Sequence, residues 1–242
     1  MYKYSLSEIK EEVNEFVEGF HLYDNGFFTE EVVDFFISEI NEEKKFDYST
    51  GATKCVIIPE DKDYVIKIPF NGRTICCEDC EYNKENDFYC SCCEDKSCPI
   101  TPFYGGGGKY SDNYCERERE LYDKIIGKYP EFKDFFLPLE LIEKIDDYPI
   151  YIQVKAEIFN YSKTISSEKS KTIVSSDDAK FCNAPIPWLG SVLENLNNDL
   201  TLYNRFIEML EEFKITGDLH SSNVGYYDNH AIILDYAGFY DN

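Results

Sequence analysis

Thr216-Gly217-Asp218-Leu219-His220-Ser221-Ser222-Asn223 is followed, one short hairpin later, by Ile232-Ile233-Leu234-Asp235-Tyr236. An Asp and an Asn five positions apart on one loop, then a second Asp emerging from an apolar strand, supply a carboxylate able to accept a proton and two oxygen ligands for a hard divalent cation. That order of residue types is how a phosphoryl-transfer site gathers its base and its magnesium ligands, and the rest of the chain is read outward from it.

The run is similar to the catalytic loop and metal-binding Asp of the protein-kinase-like superfamily. It is closest to aminoglycoside and other small-molecule kinases, in which a Gly-Asp-Leu-His run stands in place of the His-Arg-Asp of protein kinases, and to small kinase-like proteins of phages and prophages. The resemblance implies ATP as nucleotide, Asp218 as catalytic base, and Asn223 and Asp235 as magnesium ligands. His220 falls where the family often carries His or Lys, and by that likeness orients the loop or contacts phosphate. His21 and His230 belong to no motif. Taken one at a time, Asp218 and Asn223 also suit an ordinary turn and Asp235 the end of a strand; their joint order carries the resemblance.

Upstream, Cys55-Val56-Ile57-Ile58 and Tyr64-Val65-Ile66-Lys67-Ile68-Pro69 read as two apolar strands joined by the turn-rich Pro59-Glu60-Asp61-Lys62-Asp63. Lys67, set among apolar residues, resembles the family's phosphate-contacting lysine. Ser49 to Lys54 would then be the turn over the phosphates, its backbone approaching the nucleotide at Gly51; a plain hairpin turn fits the same residues. Tyr114 to Ile126 has Leu121, Tyr122, Ile125 and Ile126 at helical spacing. Glu118 is the expected ion-pair partner of Lys67, with Glu116 and Glu120 as alternatives. A solvated face of alternating Glu and Arg is the competing account of this helix.

Phe135 to Ile142 and Pro149 to Val154 read as two more strands around a turn at Asp146-Asp147-Tyr148. The resemblance places the adenine-binding hinge at Lys155-Ala156-Glu157, with Gln153 and Lys155 and Ala156 as nucleotide-binding residues. Ser162 to Asp178 is a polar loop. Leu196, Leu200, Tyr203, Ile207 and Leu210 are expected on one helical face buttressing the catalytic loop.

Two amphipathic helices are expected at the start. Ser5 with Glu8 forms a capping-box pattern ahead of Ile9, Val13, Phe16, Val17 and Phe20. Thr29 caps a second helix carrying Val32, Val33, Phe36, Ile37 and Ile40, after a turn at Asp24-Asn25-Gly26. These faces read as packed core, with a partner-binding arm as the alternative.

Between the lysine strand and the glutamate helix lies a cysteine cluster. Cys77-x2-Cys80 and Cys90-x2-Cys93 are two knuckle-like pairs, able to hold one tetrahedral zinc. Cys76, Cys92, Cys98 or Cys115 could replace a ligand or complete a second site. Disulfides are the competing use of these thiols. The stretch has few large apolar side chains, so metal ligation would supply its folding energy. Gly105 to Gly108 is a flexible return; it lacks the lysine and hydroxyl of a Walker loop.

Composition bounds the function. With 24 Lys and Arg against 47 Asp and Glu, the formal charge is -23, which disfavours direct nucleic-acid binding and acidic membrane surfaces. No apolar run reaches membrane-spanning length and no signal sequence is evident, so a cytoplasmic protein is expected, in the host cytoplasm if viral. The expected fold is α+β: a kinase-like two-lobed fold with an N-terminal helical extension (1–45), a small lobe (46–158) with a Cys-rich zinc-binding insertion (71–113), and an abridged large lobe (159–242) that lacks a helical substrate platform. The expected function is ATP and magnesium binding with γ-phosphate transfer to an unidentified hydroxyl acceptor. The alternative is a catalytically inactive acidic interaction protein that contacts a host factor or mimics nucleic-acid charge.

Overall fold

The computed structural model describes residues 5–18, 46–51, 53–69, 113–145, 148–163, 174 and 183–237. These form a mixed α+β protein that divides into two compact units. Residues up to Cys115 together with Glu140–Ile152 belong to the first, Glu116–Leu139 and Gln153–Phe239 to the second.

In the first unit, helix α1 (Leu6–Glu18) opens with a capping box. The Ser5 hydroxyl and N–H donate to Glu8 Oε2 at 2.6 and 2.8 Å, and Glu8 N–H donates back to Ser5 Oγ at 3.3 Å. Those bonds hold the Glu8 carboxyl below its ordinary value. Ile9 and Val13, one turn apart, are buried. The side chains of Phe16 and Val17, and the whole second helix expected from Thr29, lie outside the described residues.

Three strands follow: β1 (Phe46–Thr50), β2 (Lys54–Pro59) and β3 (Tyr64–Pro69). They pair antiparallel, with Tyr48 opposite Ile57 and Val56 opposite Lys67. Later in the chain come β4 (Leu139–Ile145) and β5 (Tyr148–Val154), completing a five-stranded sheet in the order β1-β2-β3-β5-β4. Because side chains alternate along a strand, Cys55, Ile57, Ile66 and Ile68 share one face, and all four are buried.

The expected strand over Phe135 to Ile142 begins only at Leu139. Pro130 starts a 3-10 turn that runs through Phe135, and Pro138, which has no N–H to donate to a ladder, stands just before the strand. Within this segment Phe136 makes an isolated parallel bridge to Ile233.

The second unit is built on helices α2 (Tyr114–Lys128, all but its first two residues), α3 (Ile186–Asn195) and α4 (Leu200–Glu212), with a three-stranded sheet of β6 (Glu157–Ile158), β7 (Val224–Tyr227) and β8 (His230–Ile233). Helix α3 is buried from Trp188 to Leu193, as an interior helix must be if it is apolar on all sides. Phe132 and Phe206 meet edge to face at 5.4 Å inside this core.

The single helical face expected from Leu196 to Leu210 is in fact two helices. Asn197 and Asn198 adopt left-handed backbone (φ 56° and 59°). Asn198 N–H donates to Leu193 O and Asn197 N–H to Glu194 O, both at 2.9 Å, so α3 ends in a Schellman turn. Asp199 then caps α4, its Oδ1 accepting from Thr201 and Leu202 N–H at 2.8 and 3.2 Å. Leu200 is consequently half exposed, and the buried face of α4 is Tyr203, Phe206, Met209 and Leu210.

Candidate functional site

The loop bearing Asp218 is aimed by the way α4 stops. Lys214 takes φ 55°; its N–H donates to Glu211 O at 3.0 Å and Ile215 N–H reaches back to Leu210 O at 2.9 Å, a second Schellman turn. Ile215 is buried and pins the exit, and a short 3-10 turn (Thr216–Asp218) carries the chain to Asp218. The Asp218 carbonyl accepts from His220 N–H at 3.0 Å and from Asn223 Nδ2 at 2.9 Å. Two residues five apart in sequence are thereby fastened together.

The His220 ring approaches the Asp218 side chain instead, its Nε2 lying 3.6 Å from the carboxylate Oδ1. Ser222 N–H donates to His220 Nδ1 at 3.3 Å, so Nδ1 is the acceptor and Nε2 carries the proton that faces Asp218. Asn183 Nδ2 holds the loop from the other side through Gly217 O at 3.3 Å.

The β7–β8 hairpin brings the second Asp back to this loop. Its two-residue turn, Asp228-Asn229, has φ of 50° and 63°, the primed geometry that suits the twist of the flanking strands. Leu234 N–H and Asp235 N–H both donate to Asn223 O, at 2.8 and 3.4 Å. The backbone of Asp235 therefore lies against that of Asn223. Trp188 Nε1 donates to Gly225 O at 3.1 Å and Asn195 Oδ1 accepts from Ala231 N–H at 2.8 Å, tying both strands to α3.

Asp218, Asn223 and Asp235 thus lie in one unit on connected backbone. Asn223 spends its Nδ2 on Asp218, which leaves its amide oxygen as the free end of the side chain. An amide oxygen and a carboxylate are donors of the kind a hard cation such as magnesium takes.

A buried polar cluster stands behind Asp235. Gln153 Nε2 donates to Leu137 O at 2.9 Å and lies 3.3 Å from Glu118 Oε1; both side chains are almost fully buried. Tyr236, next to Asp235, donates its hydroxyl to the same Leu137 carbonyl at 3.1 Å, while its ring meets Phe136 edge to face at 5.2 Å. Burial, reinforced by the negative charges of Glu118 and Asp235, pushes the Tyr236 phenol well above its ordinary value. Gln153 and Tyr236 therefore meet at one carbonyl, with the Glu118 carboxylate accepting from the same Gln153 amide. Gln153, expected to bind nucleotide, has its amide committed to this cluster. Lys155 and Ala156 are half-buried between β5 and β6.

No protein-family model, curated protein or solved structure matches this chain. The chemistry rests on the residues themselves.

In the first unit, Lys67 is buried on β3, opposite Val56. Gly51 is exposed in the β1–β2 turn, which closes with Gly51 N–H donating to Lys54 O at 3.0 Å. Cys77, Cys80, Cys90 and Cys93 lie outside the described residues, as do Cys76, Cys92 and Cys98. Cys115 is buried at the start of α2, where its N–H donates to Asn113 Oδ1 at 3.0 Å. Among the described residues no helix is long and apolar enough to cross a membrane.

Sequence reading missed Tyr236 and Leu137. The apolar run preceding Asp235 drew attention to the carboxylate, and nothing in a lone tyrosine signals which carbonyl its hydroxyl will find.

Proposed function

We propose that this chain is a kinase-like, two-lobed phosphotransferase that binds ATP with magnesium and passes the γ-phosphoryl group to a hydroxyl acceptor. The observation that carries this reading is the fastening of Asn223 to Asp218 at 2.9 Å, with the Asp235 backbone bonded to the same asparagine. Local bonds hold together the backbone segments that bear the proposed proton acceptor and the two proposed oxygen ligands, which suits phosphoryl transfer, since its catalysis is mostly positioning and charge stabilisation.

In this reading the Asp218 carboxylate accepts the proton of the acceptor hydroxyl as the new O–P bond forms and the bond to the β-phosphate oxygen breaks, releasing ADP. His220, with its Nε2 proton turned to Asp218, keeps that carboxylate oriented. Asn223 and Asp235 would hold magnesium, which when bound neutralises charge on the phosphates. Lys67 supplies a further positive charge toward phosphate, and Gly51 and the Lys155-Ala156 segment are the proposed nucleotide contacts. Glu118, whose carboxylate lies against Gln153, is a positioning residue. For the segment 71–113 we assign a structural zinc held by Cys77, Cys80, Cys90 and Cys93.

The formal charge of -23 favours a second reading, an acidic interaction protein that binds a protein partner without catalysis. Isothermal titration with magnesium-ATP and a phosphotransfer assay, including autophosphorylation, separate the two. Asp235→Asn should weaken magnesium-nucleotide binding; Asp218→Asn should leave binding within about twofold and lower turnover by about 10²–10⁴-fold. A folded Lys67→Ala, Asp218→Ala, Asp235→Ala protein that keeps full biological activity would reject catalysis in favour of the interaction reading.

A further inference from the structure

Lys67 is not the only lysine buried in the first unit. Lys54, the first residue of β2, retains 3 % of its surface and Lys67 4 %. The register pairs Lys54 with Pro69 and Val56 with Lys67. Directly opposed residues and residues two apart share a face. Lys54, Val56, Val65, Lys67 and Pro69 therefore stand on one side of the β2–β3 pair, opposite the side that carries Cys55, Ile57, Ile66 and Ile68. The two lysines are diagonal neighbours on adjacent strands, at about 7–8 Å between such positions. Four-carbon stems let their ammonium groups converge or diverge across that gap.

Two like charges at neighbouring buried positions repel and are costly to desolvate, so the arrangement favours an anion with charge spread over more than one centre. Both lysines already have a partner within the chain, which such an anion would share or replace. The approach is set where β1 passes into β2: Gly51, which presents no side chain, donates its N–H to Lys54 O, and Ser49, still within β1, sits across from Val56 on the same face. That face also has an acidic limit, since Asp47 lies opposite Ile58, two positions farther along β1. The anion is thereby confined to the Lys54 end.

We infer that Lys54 is a second phosphate-binding residue, and that the Lys54–Lys67 face selects di- and triphosphates over monophosphates. This deepens the nucleotide reading above and rests on it for the identity of the natural ligand. The face itself is tested without any nucleoside, using inorganic tripolyphosphate and orthophosphate as probes in calorimetric titrations of the full chain.

Tripolyphosphate is expected to bind and orthophosphate to bind at least tenfold more weakly. Lys54→Met and Lys67→Met should each weaken tripolyphosphate by about tenfold or more, the worth of one charge-assisted hydrogen bond. Lys54→Arg should recover most of the loss, and Lys124→Met, an exposed lysine of the other unit, should change nothing. Should Lys54→Met fail to fold, the Lys54 ε-carbon resonance of the wild-type protein must move on adding tripolyphosphate. Binding that depends on Lys67 and is indifferent to Lys54, or an unmoved Lys54 resonance at saturation, overturns the inference and leaves the kinase reading standing. Tripolyphosphate binding that needs both lysines in a protein with no phosphotransfer keeps the inference and removes the kinase. No binding of tripolyphosphate to folded wild type overturns the inference outright.

Discussion

Asn223 fastens Asp218 by its side chain and Asp235 by its backbone: Nδ2 donates to the Asp218 carbonyl at 2.9 Å, and its own carbonyl accepts from Asp235 N–H at 3.4 Å and from Leu234 N–H at 2.8 Å. One asparagine therefore holds both carboxylate-bearing segments. Replacing it by Asp keeps an oxygen for a cation but turns the donor into an acceptor facing a carbonyl. Asn223→Asp should lose about 1 kcal/mol of stability while retaining a measurable magnesium-nucleotide affinity, and Asn223→Leu should lose both. Urea denaturation and calorimetric titration of the two variants check this; equal nucleotide affinity in both would exclude Asn223 as a ligand.

Gly225 is required by space. A Cβ there would run into the carbonyl oxygen of Glu157 on the neighbouring strand and press Leu234 Cδ1 at 3.2 Å. The obstacle is backbone, which cannot turn aside as a side chain would. Gly225→Ala should destabilise the second unit by about 1–3 kcal/mol. A midpoint of urea unfolding unchanged from wild type would show that β6 and β7 are not this close.

Tyr236 makes stability depend on alkaline pH. Its phenol is held neutral in the folded protein, above the ordinary value of 10.0, whereas the unfolded chain ionises near that value. The contribution is therefore complete below about pH 10 and is lost as pH rises from there toward the folded value. Tyr236→Phe should remove that part of the alkaline decline. At neutral pH it should cost about 1 kcal/mol, since the Leu137 carbonyl keeps its bond from Gln153. Thermal melts from pH 7 to 11 read both effects, and parallel curves for the two proteins would contradict the assignment.

Protein purified without added metal should contain zinc bound by sulfur at about 2.3 Å. X-ray absorption and elemental analysis check it. Cys77→Ser with Cys90→Ser should release the metal, and full zinc content in that double variant would move the site to other cysteines.

How much of this was legible in the chain depends on the range of the interaction. The capping box at Ser5 and Glu8, the strands around Lys67, the helix from Tyr114 and the hairpin ahead of Asp235 were all readable, because each is set by residues within a few positions of one another. The break between α3 and α4 was missed, although its signal was local too: Asn197-Asn198-Asp199 combines two residues that tolerate left-handed backbone with a helix cap. Apolar spacing across Leu196 and Leu200 outweighed it. The late start of β4 was likewise written in Pro130 and Pro138. The cluster of Glu118, Gln153, Tyr236 and Leu137 was not legible, since Tyr236 reaches a backbone carbonyl 99 positions away, and a carbonyl has no sequence signature. Lys54 became visible only with the register, which placed it on the same side as Lys67.

The two-residue turn at Asp228 and Asn229 acts as a ruler. Because strand side chains alternate, adding or deleting one residue on the β8 arm would turn that arm over and present Ala231 and Ile233 where His230 and Ile232 now stand. It would also shift Leu234 and Asp235 off the Asn223 carbonyl. Gly225 apart, substitution can vary the identities of residues between Asn223 and Asp235, but their number is fixed by the distance the hairpin has to measure.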